Sequence, residues 1–372
     1  MTQPDNDKLA AELLHHFGRN LQPGDSVTPA IVPTAVFYLP GNPSNAPYQY
    51  GRFHNPTWDA LESALSMLES AETVLFPSGM AAIASVLYSQ LKSGDRVLLP
   101  SDGYYTTRVL VEKYLQPLGV HFETRSTTRF MDGGFQGFRL VFIETPSNPG
   151  LDVCDISMVA AQTRATGALL VADNTTMTPL GQRPLDLGAD VVVNADTKAI
   201  NGHSDVLFGH VASRNGLLCQ SLRDWRRFSG SVPGPFEAWQ VFRGLETLEV
   251  RYSRMCATAQ LLAERLAEHA ATLNVRYPGL PADPGHSIAS RQMSCFGSMI
   301  TLTLKDGPTA ERFIRECKLV QPSTSFGGVR TCAERRERWG DAVDPGFIRL
   351  SIGIEPSEVL WQAMAETLEK LG

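Results

Sequence analysis

The hydrophobic pattern from Asn55 onward is typical of a sheet whose strands are buried on both faces. Short apolar runs within "DRVLLP" (95–100), "FRLVFIETPSNP" (138–149) and "GALLVADNTTMTP" (167–179) end in polar loops, and several are followed by helical spacing of apolar residues. Such runs are expected of parallel strands covered by helices. We therefore predict a mostly parallel α/β sheet in this part of the chain.

The pattern divides the chain into three regions. Residues 1–50 are rich in Pro, Asn and Gln and have little periodicity, which predicts a short helix followed by an extended arm. Residues 51–235 contain the predicted parallel sheet, and the Pro-Gly-Pro stretch at 233–235 marks its end. Residues 236–372 are predicted to form a smaller α/β domain that begins with one long amphipathic helix, about 237–269.

Composition and charge exclude several classes of protein. The formal net charge of −6 indicates no surface for nucleic acid, and no apolar run is long enough to cross a bilayer. The N-terminus has no pattern of a signal peptide. The six cysteines are scattered without CxxC spacing, which favours reduced thiols over disulfides or a zinc site. We expect a cytoplasmic protein without a metal, a membrane or a nucleic acid as partner.

Three polar features follow the predicted strands, where ligands bind in open parallel sheets. "PSGM" (77–80) places Gly79 at a change from strand to helix, whose amides attract phosphate or simply form a helix cap. Asp173 ends an apolar run and would pair with a cationic ring nitrogen, or else form a salt bridge or an Asx turn. Lys198, after "VVVNADT", would form a Schiff base or else be a surface lysine. In this order they suit pyridoxal phosphate (PLP).

The chain resembles the Cys/Met-metabolism PLP enzymes, the group of cystathionine γ-synthase, γ-lyase and β-lyase and methionine γ-lyase, from about Thr28 to Glu355. The resemblance implies the aspartate aminotransferase-like fold (fold type I), PLP as cofactor, and a homotetramer built from dimers that share active sites. A nucleotide-binding protein is an alternative without support, because GxGxxG and GxxxxGK[ST] are missing. The motifs that carry the resemblance are, in order, "YGRFHNPT", "SGMAAI", "DGYY", "ETPSNP", "VADNT", "TKAINGHSD", "SFGG" and "IRLSIGIE".

The resemblance also implies roles for individual residues. Lys198 would hold the cofactor and carry protons, Asp173 would pair with the pyridine nitrogen, and Tyr104 would stack on the ring and protonate the leaving group. Tyr50 and Arg52 would reach the phosphate of a neighbouring subunit. The residues that would bind the cofactor are Lys198, Ser78, Gly79, Met80, Tyr104, Asn148, Asp173, Thr197, Tyr50 and Arg52. The residues that would hold the substrate carboxylate are Ser325, Arg349 and Tyr50.

The sequence departs from the family pattern at several positions. Ala195 replaces a serine that would contact the phosphate, and Tyr105 would compete with Tyr104 for the stacking role. Thr324 replaces a glutamate that would meet the distal ammonium of cystathionine. The "TCAERRERWGD" stretch after "SFGG" is also unusual, and its arginines would form a solvated helix face or bind the distal carboxylate of the substrate. Those arginines are Arg335, Arg336 and Arg338.

The function that the resemblance favours is a PLP-dependent carbon–sulfur lyase acting on a small amino acid. The predicted reaction is that of cystathionine γ-lyase, an α,γ-elimination that gives cysteine, 2-oxobutanoate and ammonia. The alternatives are γ-replacement on an O-acyl homoserine, as in cystathionine γ-synthase or homocysteine synthase, and methionine γ-lyase activity. A PLP-binding protein without turnover is the alternative from another class, although the lysine, the acid and the carboxylate-binding arginine are all present.

Overall fold

The computed structural model describes residues 3–15 and 21–371. Helix α1 (Gln3–His15) is followed, from residue 21 to residue 55, by irregular chain with one 3₁₀ turn at Pro43–Asn45 and further turns at Pro23–Gly24 and Gly51–Phe53. A β-bridge joins Val36 to Tyr50 within this stretch. The described residues thus contain the short helix predicted for the N-terminal region, while the division of the chain at residue 50 stays a prediction.

A seven-stranded sheet forms the larger part of the molecule, with the strand order β1-β7-β6-β5-β4-β2-β3. Only β7 runs antiparallel to its neighbours, β1 and β6. The sheet is therefore mostly parallel, as the apolar runs predict. The strands are β1 (Glu72–Phe76), β2 (Arg96–Pro100), β3 (His121–Arg125), β4 (Leu140–Glu144), β5 (Leu169–Asp173), β6 (Val191–Asn194) and β7 (Gly209–Ser213).

Helices cover both faces of this sheet, and their starts follow local capping signals. Asn55 accepts a hydrogen bond from the amide of Thr57 at the start of α2, and Ser78 accepts one from Ala81 at the start of α3. Such caps satisfy backbone amides that have no partner within the helix. The helices are α2 (Pro56–Glu69), α3 (Gly79–Gln90), α4 (Tyr105–Leu110), α5 (Ile156–Thr166), α6 (Thr178–Gly181) and α7 (Gly216–Ser229).

The single long helix predicted over 237–269 is wrong, because two helices occupy this range. They are α8 (Pro235–Leu245) and α9 (Leu248–Glu268). At the break, Arg251 donates hydrogen bonds to the carbonyl oxygens of Gly244 and Ala199, both at 2.8 Å. The interruption thus ties the start of α9 to the turn that directly follows Lys198, and no periodicity within the helix reveals such a contact.

A second sheet of five strands forms the C-terminal part, in the order β10-β11-β12-β9-β8. Three of its four strand pairs are antiparallel, and only β10 and β11 run parallel. The strands are β8 (Asn274–Arg276), β9 (Met299–Thr303), β10 (Gln321–Pro322), β11 (Cys332–Arg335) and β12 (Phe347–Ser351). The helices that pack with them are α10 (His286–Gln292), α11 (Gly307–Glu316) and α12 (Ser357–Glu369).

Strand β11 corrects the interpretation of "TCAERRERWGD" as a solvated helix face. Cys332, Ala333 and Glu334 are all buried, and a 3₁₀ turn at Glu337–Trp339 follows the strand. A strand that buries a glutamate and ends in an arginine lacks the unbroken apolar run used to predict the other strands. Its identity depends on partners in other parts of the chain.

Helix α9 connects the two parts of the fold. Its first half, with Tyr252 and Cys256, packs in the core that contains α2 and α8, and its second half, with Leu262 and Leu266, packs against the small sheet. Among residues 3–15 and 21–371, no helix is long and apolar enough to span a membrane. The same residues contain no cluster of side chains suited to a metal ion.

Candidate active site

A cavity of about 400 Å³ lies where the carboxyl ends of β4, β5 and β6 face the small sheet. It brings together ten residues predicted from the sequence, although they are distributed over more than 250 positions of the chain. They are Ser78, Gly79, Met80, Tyr104, Asn148, Asp173, Thr197, Lys198, Ser325 and Arg349.

The start of helix α3 provides backbone amides on one side of the cavity. The amides of Gly79 and Met80 have no hydrogen-bond partner among the described residues, since the Ser78 hydroxyl caps Ala81 instead. A Cβ atom on Gly79 would lie 2.5 Å from the Cβ of Ala195, so this position requires glycine. Two free amides at the N-terminus of a 12-residue helix form a site suited to phosphate.

Ala195 and Thr197 line the cavity beside this helix start. Ala195 has no hydroxyl, and its methyl group occupies the space next to Gly79. The Thr197 hydroxyl accepts a hydrogen bond from the amide of Phe208 at 2.9 Å and donates to the Phe208 carbonyl at 3.2 Å. Thr197 must therefore redirect its proton if it is to bind a phosphate.

Lys198 is the only lysine among the lining residues, and it is half-buried. Its Nζ atom donates to the Ser325 hydroxyl at 2.7 Å and lies 4.8 Å from the centre of the Phe326 ring. Burial, together with the nearby charge of Arg349, lowers the pKa of Lys198 to about 8. A large fraction of this amine is therefore neutral near pH 8, as a nucleophile or a base must be.

Ser325 has a backbone φ of 78°, in the left-handed region that favours glycine. A non-glycine residue there costs about 1–3 kcal/mol and persists only where its surroundings fix it. In this conformation its hydroxyl meets Lys198, while its carbonyl accepts a hydrogen bond from Arg349 at 3.2 Å. One strained residue thus links the lysine to the arginine.

Asp173 and Glu144 end the adjacent strands β5 and β4 and are paired in the sheet register. Burial raises the pKa of Asp173, and hydrogen bonds from Thr175 only partly offset this effect. Burial and the neighbouring Asp173 raise the pKa of Glu144 well above its usual value. A buried carboxylate whose pKa is raised is stabilised by any cation placed beside it, and a protonated ring nitrogen would be such a cation.

Glu144 also holds the backbone of Tyr104, one of two tyrosines that line the cavity. Its Oε2 atom accepts a hydrogen bond from the backbone amide of Tyr104 at 2.6 Å. Tyr104 and Tyr105 both line the cavity, are 41% and 51% exposed, and meet edge to face with their centroids 5.8 Å apart. Both tyrosines are therefore placed to contact a ligand.

Arg349 and Asn148 meet at the floor of the cavity. One terminal nitrogen of Arg349 donates to Oδ1 of Asn148, and the other donates to Glu334. This contact turns the Asn148 amide nitrogen away from the guanidinium, and that nitrogen has no partner among the described residues. It can therefore donate to an acceptor oxygen of a ligand, which is the role that the sequence predicts.

Tyr50 and Arg52 do not line the cavity of their own chain. Arg52 donates to the carbonyl of Arg227 at 2.5 Å, and its guanidinium lies 5.4 Å from the centre of the Tyr50 ring. Their predicted contact with the phosphate of a neighbouring subunit stays a prediction.

The residues of the cavity fit PLP. Free amides at the start of α3 suit its phosphate, the Asn148 amide suits its phenolic oxygen, and buried Asp173 suits its ring nitrogen. Lys198 supplies an amine that would form a Schiff base with the aldehyde of PLP. These four groups come from four different segments and converge on one cavity.

A family model described as "Cys/Met metabolism PLP-dependent enzyme" matches residues 11–369. The chain belongs to this family. A protein of Streptomyces coelicolor named "Putative cystathionine gamma-lyase" is 48% identical over 92% of this chain and 89% of its own. A crystal structure of cystathionine γ-synthase from Xanthomonas oryzae pv. oryzae in complex with cystathionine is 34% identical, with a TM-score of 0.92 over 98% of each chain.

A third relative is a methionine γ-lyase from Micromonospora echinospora, CalE6, whose structure has a TM-score of 0.90 and is 35% identical over 97% of this chain and 98% of that one. Membership of the Cys/Met metabolism family confirms PLP as the cofactor, the fold type I architecture and the class of PLP-dependent enzyme related to cystathionine γ-lyase. The relatives are named for different reactions, so the family alone does not select one reaction.

Two acids of the cavity were missed in the sequence. Glu144 ends an apolar run in the same way as Asp173, so the signal that identified Asp173 was also present for Glu144. Glu334 gave no such signal, because it lies in the segment mistaken for a helix. Its importance emerges only from its pairing with Arg349 across β11 and β12.

Proposed function

We propose that this enzyme is a cystathionine γ-lyase, which cleaves the Cγ–S bond of cystathionine to give cysteine, 2-oxobutanoate and ammonia. The observation that carries the proposal is the 48% identity, over 92% of the chain, to the Streptomyces protein named for this activity. The cavity supports it, because its volume of about 400 Å³ accommodates a two-ended amino acid and its wall contains two arginines, Arg349 and Arg336.

The residues of the cavity have separate roles in binding the substrate and in transferring protons. Arg349 binds the α-carboxylate of the substrate, because a fixed guanidinium matches two carboxylate oxygens. Bound PLP supplies an electron sink that weakens the substrate Cα–H bond. Lys198, with its pKa lowered to about 8, takes the Cα proton and moves the next proton from Cβ. Tyr104, at the opening of the cavity, donates a proton to the departing sulfur.

Asp173 keeps a positive charge on the ring nitrogen of the cofactor in this proposal. The carboxylate is buried in the cavity wall, where water does not screen its charge. Such a fixed charge acts most strongly on the state in which electrons accumulate, so its effect falls on the rate of the chemical step.

Methionine γ-lyase activity is the second candidate, favoured by Thr324. This residue lines the cavity and carries no charge, so it offers no ion pair to a distal ammonium group. Methionine has no such group, and a cavity without this contact is open to a shorter thioether. The γ-replacement reaction shares the same early proton transfers and differs in whether a thiol enters after the first leaving group departs.

A substrate panel distinguishes these reactions. The purified holoenzyme is given cystathionine, methionine, homocysteine or an O-acyl homoserine, each with and without added thiol, and 2-oxobutanoate and ammonia are measured. We expect the highest kcat/KM for cystathionine without thiol. Methionine as the best substrate would establish the second candidate, and thioether formation without release of 2-oxobutanoate would establish γ-replacement.

A further inference from the structure

The three arginines after "SFGG" have different surroundings. Arg335 lies on β11 and pairs with Glu311 at 2.8 Å and with Glu337, outside the cavity. Arg338 follows in the 3₁₀ turn, with its side chain 38% exposed. Only Arg336 of the three lines the cavity. A ligand in the cavity therefore meets this one guanidinium of the segment.

Arg336 is fixed by two carboxylates and keeps unused donors. Its Nε and Nη2 atoms bond Oδ2 of Asp341 at 2.7 Å and 2.6 Å, and its Nη1 atom donates to Glu334 at 2.7 Å. Three of the five N–H groups of a guanidinium are then engaged. One N–H on each terminal nitrogen has no partner among the described residues. Two such donors fit the two oxygens of a carboxylate.

Glu334 connects this guanidinium to the one that would bind the α-carboxylate. Its Oε1 atom accepts from both Arg336 and Arg349, and its Oε2 atom accepts from the indole of Trp339 at 2.9 Å. Trp339 also lines the cavity and is 56% exposed. The wall therefore presents two fixed guanidinium groups with an apolar surface beside them. One carboxylate needs only one of these guanidinium groups.

We propose that Arg336 binds the carboxylate at the far end of the substrate side chain. The cavity would then select sulfur amino acids that carry a second carboxylate, with Arg349 and Arg336 each binding one end and Trp339 covering the thioether. The inference rests on the proposed function for its natural substrate, cystathionine, and adds the group that recognises the distal end.

Binding to the holoenzyme tests this inference without requiring turnover. Apparent dissociation constants of cystathionine and methionine are measured by stopped flow, from the amplitude of the first rapid change in absorbance of the bound cofactor before product forms, for the wild type and for Arg336→Gln. We expect Arg336→Gln to weaken the binding of cystathionine about ten- to a hundredfold and the binding of methionine less than about threefold. This is the effect expected for loss of one charge-assisted hydrogen-bonded pair. Arg335→Gln, one residue away on the same segment but outside the cavity, is the matched control and should change neither.

The inference would be overturned if Arg336→Gln weakened the binding of both amino acids equally, or the binding of neither. Arg336→Lys keeps a charge for Asp341 while losing the fork, so it is judged by the same criterion if Arg336→Gln does not fold. A second pair, O-succinyl and O-acetyl homoserine, differs chiefly in a distal carboxylate. If Arg336→Gln weakens binding of the succinyl ester alone, and the wild type releases no 2-oxobutanoate from cystathionine, the proposed function fails and the inference stands. If the wild type cleaves cystathionine but the variant binds both esters normally, the inference fails alone.

Discussion

Replacement of Glu334 is the most direct test of how Arg349, the arginine proposed to bind the substrate, is held in place. Glu334 is 1% exposed, and it accepts hydrogen bonds from Arg349, Arg336 and Trp339. Glu334→Gln keeps the shape and an acceptor oxygen but removes the charge shared by the two guanidinium groups. Glu334→Ala removes the acceptor as well and leaves both groups facing each other in a buried wall.

The expected magnitudes follow from this burial. Removing one partner of a buried ion pair costs about 3–5 kcal/mol, so Glu334→Ala should lower the free energy of unfolding by that amount. A hydrogen bond to a charged group contributes about 1.5–3 kcal/mol, which is the range expected for Glu334→Gln. If about half of that loss, roughly 0.75–1.5 kcal/mol, appears as misorientation of Arg349, KM should rise about four- to thirteenfold. The turnover number should change little, because the α-carboxylate is bound equally before and during the reaction.

The assay combines urea unfolding with steady-state kinetics on cystathionine and methionine. Both substrates carry the α-carboxylate, so loss of orientation at Arg349 should raise KM for both. Glu337→Gln is the control, since this residue pairs with Arg335 at the surface and lies outside the cavity. A Glu334→Gln enzyme with wild-type KM and wild-type stability would show that Arg349 is oriented by Asn148 and Ser325 alone, which refutes the reasoning.

Three further predictions address the cofactor and the assembly. The rate at which the apoprotein binds PLP covalently should rise with pH and level off above about 8. The reason is that the pKa of Lys198 is lowered to about 8 and only the neutral amine attacks an aldehyde. Stopped-flow absorbance measures this rate, and a rate independent of pH would contradict the prediction. Asp173→Asn should reduce kcat about a hundredfold with little change in KM, and near-normal turnover would reduce Asp173 to a structural role. Mixing inactive Lys198→Ala and Arg52→Ala chains should restore activity if Arg52 serves a neighbouring subunit, whereas mixed oligomers without activity would show that each chain builds its own site.

The mostly parallel sheet and three central residues of the cavity can be predicted from local patterns in the sequence. Unbroken apolar runs specify strands buried on both faces, whichever helices cover them, and a polar residue after such a run must lie at the carboxyl edge of the sheet. Asp173 and Lys198 were found in this way, and Gly79 by its place between a strand and a helix. Each signal is local, and burial of apolar side chains makes it strong.

The wall that faces this edge depends on contacts between distant residues, which form only in the folded chain. Glu334 and Arg349 are 15 residues apart and meet across two antiparallel strands, while Arg349 reaches Asn148 over 201 residues of sequence. The break between α8 and α9 likewise depends on Arg251 meeting a turn 52 residues earlier. A buried charge is stable only beside its partner, and the sequence does not display which partner that is. Strand β11, with a glutamate in its interior and Arg336 directly after it, therefore could not be predicted from the local sequence.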